Sequence, residues 1–216
     1  MTKSTEISES KIIQALDWAY EKAINGVAGL DSATELAESY KQSHTGYTKQ
    51  VNALIRWQNT KAGTSGFISG LGGIITLPVA IPANIATVMY VQLRMIAAIA
   101  SIAGHNVHDD RIKALVYACL TGNAAKDIVK EVGIHAGTKL TASAIQSISA
   151  QTIITINKAV GFRLVTKFGE KGVINLGKMV PLVGGIIGGA FDTFSTNFIG
   201  NIARDTFQPE IKLKQS

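Results

Sequence analysis

PANIATVMYVQLRMIAAIASIA, residues 82–103, decides the fold. Pro82 lacks the backbone N–H that a first helical turn leaves unpaired anyway, and Gly104 beyond the other end supplies a stop, so the spacing predicts one helix over Pro82–Ala103. Its length suits a bilayer crossing, about twenty residues. Its pattern argues for a protein interior instead. At 100° per residue Asn84, Thr87, Arg94, Ser101 and His105 fall in one sector roughly 100° wide. An arginine at mid-helix costs about 2.5–3.5 kcal/mol on insertion scales, which the abundant alanines do little to offset. A greasy helix with one polar face needs other helices to screen it.

Upstream, Pro78 and Pro82 make an apolar corner, and Ser65–Leu77 is predicted as a helix of its own. Together the two helices form a central apolar, glycine-rich hairpin over Gly63–Gly104 in which Arg94 is the only charge. A second apolar stretch, Met179–Ala203, has Asp192 as its only charge and is read as a helix opened by Pro181. Glycines four apart, at Gly66 and Gly70, Gly184 and Gly188, Gly185 and Gly189, let helix backbones approach closely. The same glycines suit either tight permanent crossings or a metastable hairpin able to open onto a bilayer.

The flanking segments supply the screen. Ile12, Leu16, Ala19 and Ala23 recur at helical spacing behind a capping serine, Ser8 or Ser10. Further helices are predicted from an Asp31 cap to Tyr40, over Tyr47–Thr60, from an Asp109 or Asp110 cap to Leu120, and as one long region over Thr138–Phe168. Nothing sustains a period of two, so the chain is read as all-α, a helical bundle. Its organisation is read as amphipathic helices over 1–62 packing on the core, a main domain over 63–207 and a tail over 208–216.

Of 216 residues, 21 are Lys or Arg and 15 Asp or Glu, a net charge of +6. The excess lies in 132–178, with six basic side chains and one acidic. Those cations are spread out with little aromatic interleaving, which argues against nucleic acid. On a helix Arg163, Lys167 and Lys171 share a face, with Lys178 further on. Such a face suits anionic lipid headgroups at about 1 kcal/mol per charge, or plain solvent. The single cysteine, Cys119, excludes an intrachain disulfide framework, and the first ten residues hold no secretory apolar stretch, so a cytoplasmic location is expected.

No reaction is legible. Gly172–Met179 imitates a phosphate-binding loop, but Met179 replaces the Ser or Thr that would hold magnesium. His105, His108, Asp109 and Asp110 are potential metal ligands, yet one aspartate has a capping duty. Cys119 sits in an apolar run and reads as an inert core thiol. Neither a metal nor a cofactor is therefore assigned. Arg94 and Asp192, each alone in an apolar segment, are read as a buried ion pair pinning two helices, with Arg94 as a ligand anchor the alternative.

Three stretches, Gly66-Phe-Ile-Ser-Gly-Leu-Gly-Gly73, Leu77-Pro-Val-Ala-Ile-Pro82 and Gln92-Leu-Arg-Met-Ile-Ala-Ala-Ile-Ala100, resemble the EcsC family. The likeness continues at Cys119–Gly122, at Ile156–Lys158 with Val160–Gly161, and at Val180–Asp192, covering Gly63–Phe207 without the first 60 residues. Asn106 stands where the family pattern leads one to expect an aspartate. The resemblance implies a bacterial, mostly helical protein from a family named after an operon encoding an ABC exporter, with no catalytic residues to carry over.

The expectation is a non-enzymatic protein at the inner membrane surface, peripheral to it. It binds anionic lipid or a membrane transport protein, in support of ABC-transporter-linked secretion. The rivals are a membrane-permeabilising protein with an insertable 63–104 hairpin and an unrecognised hydrolase.

Overall fold

The computed structural model describes residues 8–27, 29–62, 81, 83–131, 141–168 and 186–209; the side chains at 59–62, 83, 84, 131, 168 and 186–195 lie outside the described set. Within it the protein is all-α, with nine helices: α1 Glu9–Asn25, α2 Ala33–Ser43, α3 Tyr47–Ala62, α4 Ala83–Ile102, α5 Asp110–Leu120, α6 Ala124–Glu131, α7 Ala142–Gln146, α8 Ala150–Phe168 and α9 Ile186–Thr206. The expected Ser65–Leu77 helix, and with it the first half of the glycine-rich hairpin, lies outside the described residues.

α4 is the axis of the bundle, packed by α1, α2, α3, α5 and α9. Its Met89, Leu93, Ile96, Ile99 and Ala100 have no exposure at all. Ile85–Ile102 is, among the described residues, the one segment long and apolar enough to cross a membrane, and it is almost wholly buried inside the bundle. α8 forms an outer layer against α1, α5 and α6.

Local signals set the helix ends. The Ser8 hydroxyl accepts from the Lys11 amide and caps α1. Asp109 caps α5, its Oδ1 accepting from the Arg111 amide at 2.8 Å. Gly104 takes φ +91° just past α4, a left-handed stop that a side chain would strain. Two expectations need correction. α2 is capped by Ser32, not Asp31, because Glu35 three residues later returns its carboxylate to the Ser32 amide at 2.8 Å and closes a capping box. The helix expected over 138–168 is, in its described part, two helices, α7 and α8. The Ser147 hydroxyl bonds back to the Ala144 carbonyl and Ser149 receives the Thr152 amide, so side chains take over backbone groups and break the run.

Candidate functional site

α8 has two unlike faces. Ile156, Val160 and Leu164 are fully buried on its inner side, and Gly161 lets Ile13 of α1 come close, since a Cβ there would lie 3.4 Å from the Ile13 Cγ1 and Cδ1. On the outer side Ile154, Lys158 and Phe162 follow one another at four-residue steps, within about 80° of arc. Ile154 is 59% and Phe162 60% exposed, and Lys158 between them is exposed too. The chain has no Asp or Glu from residue 132 to residue 169, so this face meets no carboxylate on its own helix.

The cations expected to share a face are placed unequally. Arg163 is exposed but lies about 100° around the helix from Phe162, beside the inner stripe, whereas Lys167 is half-buried and burial lowers its ammonium pKa. Lys167 follows Val160 by seven residues, within about 20° on the wheel, and so continues the inner stripe. Lys171 and Lys178 lie outside the described residues. Ile154 and Phe162 were missed by sequence reasoning; their shared spacing with Lys158, opposite the Ile156–Val160–Leu164 stripe, was the available signal.

On α4 the polar sector turns inward. Thr87 and Ser101 are buried and His105, just past the helix, is half-buried beside the Phe207 ring at 5.5 Å, where burial lowers the imidazole pKa. The Asn84 side chain lies outside the described residues. Arg94, 6% exposed, donates from Nε to the Asp31 carbonyl oxygen at 2.7 Å, just ahead of α2. Burial lowers its pKa, and none of the ion pairs among the described residues includes it. One contact of α9 with α4 is the Gln92 Nε2 donation to Thr196 Oγ1 at 3.4 Å, about 160° around the helix from Arg94. The Asp192 side chain, the expected partner of Arg94, lies outside the described residues.

A third polar locus joins α1 to α5, a cleft of about 280 Å³ lined by Asp17, Tyr20, Glu21, His108, Asp110 and Lys113 among others. Its groups largely satisfy one another. Lys113 Nζ lies 2.6 Å from Asp17 Oδ1, which also accepts from the Tyr117 hydroxyl at 2.9 Å, and Tyr20 donates to the Val107 carbonyl at 2.6 Å. No group of three His, Cys, Asp or Glu among the described residues is arranged to hold a metal. Cys119 is 1% exposed and burial pushes its thiol up to about 12, so it is a packed side chain and a poor nucleophile.

An all-α bundle wound around one apolar helix, with an acid-free outer helix, defines a helical protein with no assembled catalytic centre among the described residues. The chain belongs to the EcsC protein family, whose model matches residues 2–209. The match takes in α1–α3, which the resemblance read from the sequence had left out. No curated protein and no solved structure matches the chain.

Proposed function

We propose that this protein is a non-enzymatic, peripheral protein of the inner membrane surface that docks on anionic lipid through the outer face of α8. The observation that carries the reading is the pairing of Ile154 and Phe162, both more than half exposed, around Lys158 on a helix without a carboxylate. At that exposure each apolar side chain has about 1–2 kcal/mol to gain by leaving water, and each cation near an anionic leaflet about 1 kcal/mol. The sum is a few kcal/mol, which suits reversible docking and falls far short of insertion. Amphipathic surface helices bind in this way, with apolar side chains in the interface and cations toward the headgroups.

Insertion of the 63–104 segment would require α4 to leave five neighbouring helices, which makes surface docking the less costly route to a membrane. A transport protein as partner is what the family resemblance implies, and lipid is what the α8 surface favours. Sedimentation with vesicles tests the reading. The protein is expected to pellet with phosphatidylglycerol vesicles at low salt, to be released toward 1 M salt as the Debye length shortens to about 3 Å, and to stay in solution with neutral vesicles. Equal pelleting with both vesicle types at every salt concentration would contradict it.

A further inference from the structure

Tyr90 and Arg94 lie one turn apart on the same face of α4, where Arg94 reaches the start of α2. Tyr90 is fully buried and Arg94 retains 6% exposure. Arg94 uses Nε on the Asp31 carbonyl, while its Nη1 and Nη2 have no hydrogen-bond partner among the described residues; neither has the Tyr90 hydroxyl. The Tyr90 hydroxyl is a fully buried group without a partner, which is unfavourable, whereas no Arg94 nitrogen is among the fully buried unpartnered atoms, so its terminal N–H groups stay within reach of solvent or a solute. The nearby carboxylates of Asp31 and Glu35 favour the charged guanidinium but do not bond to it. Asp31 and Glu35 are exposed, Glu35 is committed to the Ser32 amide, and neither forms an ion pair with Arg94.

We propose that the Arg94 guanidinium fork and the Tyr90 hydroxyl form a binding site for a singly charged oxyanion, a carboxylate or a phosphodiester. The planar fork presents parallel N–H groups to two oxygens of such a group, and the phenol adds a third donor. The exposed Asp31 and Glu35 at the rim repel a dianion more than a monoanion, which selects the lower charge. Half-buried Tyr40 of α2 has Arg94 as an electrostatic neighbour. The site is independent of the α8 reading, because α8 packs on α1, α5 and α6 and the failure of one leaves the other standing.

The full chain is titrated with dimethyl phosphate and with acetate at constant ionic strength, and separately with phosphatidylglycerol vesicles, following thermal stability and binding for the wild type, Tyr90→Phe and Arg94→Lys. A free ligand as the source predicts that a soluble probe raises the melting temperature; a lipid headgroup predicts that only the vesicles do. In either arm Tyr90→Phe, which removes one donor to a charged acceptor, should weaken binding about tenfold, with Arg94→Lys weakening it further where that variant folds. Without ligand, Tyr90→Phe should melt at or above the wild-type temperature, since it removes a hydroxyl that has no partner. Absence of stabilisation by all three probes, binding unchanged by Tyr90→Phe, or a ligand-free Tyr90→Phe that melts lower than the wild type would each overturn the proposal.

Discussion

Asp17 of α1 and Lys113 of α5 meet at 2.6 Å, and the same carboxylate oxygen accepts the hydroxyl of Tyr117 at 2.9 Å. The lysine lies 5.8 Å from the centre of the Tyr20 ring and 5.7 Å from that of Tyr117, and the two rings stand edge to face. The charges themselves are partly solvated, Asp17 half exposed and Lys113 about a third, so the ion pair contributes little. The buried phenol contributes more. Tyr117→Phe is expected to cost about 1–2 kcal/mol and Lys113→Met less than about 1 kcal/mol, measured by urea unfolding. The reverse order would show that the pair, not the phenol, joins α1 to α5.

Gly200 is where α9 crosses α3. A Cβ placed there would lie 2.8 Å from Ile55 Cγ1 and 3.1 Å from its Cδ1, too close for a β-branched side chain to yield freely. Gly200→Ala gains about 1 kcal/mol of helix propensity and is nevertheless expected to destabilise the protein by about 1–3 kcal/mol through overpacking. Adding Ile55→Val should recover part of the loss. A single Gly200→Ala variant as stable as the wild type would show that Ile55 has room to move.

Cys119 supplies a pH signature. Its folded thiol is pushed up to about 12 by burial, while an unfolded thiol titrates near 8.5. Between those values the unfolded chain releases a proton that the native state keeps, so stability is full below about pH 8.5 and declines as pH rises, by up to about 1.4 kcal/mol per pH unit. Burial also raises the pKa of Tyr20, Tyr47 and Tyr117, which extends the decline above the ordinary phenol range. Cys119→Ala should flatten the slope of unfolding free energy between pH 8.5 and 10. An unchanged slope would mean that the thiol ionises in the folded protein.

The helices that begin and end on a single residue's chemistry are legible in the sequence: Ser8 before α1, Asp109 before α5, Gly104 after α4. Asp31 misleads because Ser32 beside it completes a reciprocal pair with Glu35, and two adjacent capping residues differ only in what stands three positions later. The break at Ser147–Ser149 is hidden because Ile145, Ile148 and Thr152 keep the helical period across it. Of the site, the burial of Arg94 follows from its lone charge. Its acceptor does not, since a backbone carbonyl leaves no residue type to search for. On α8 the apolar residues lie on both sides, and composition cannot say which side α1 and α5 cover; only packing separates the buried Val160 from the exposed Phe162.

Flotation of the wild type beside the double variant Ile154→Ser with Phe162→Ser, on phosphatidylglycerol vesicles at low salt, is the decisive measurement of docking through α8. Both positions are exposed, so the folded stability of the variant should stay within about 0.5 kcal/mol of the wild type. The wild type is expected to float with the vesicles and the variant to lose most of its binding, about tenfold or more. A stable variant that floats as well as the wild type would contradict membrane docking through α8.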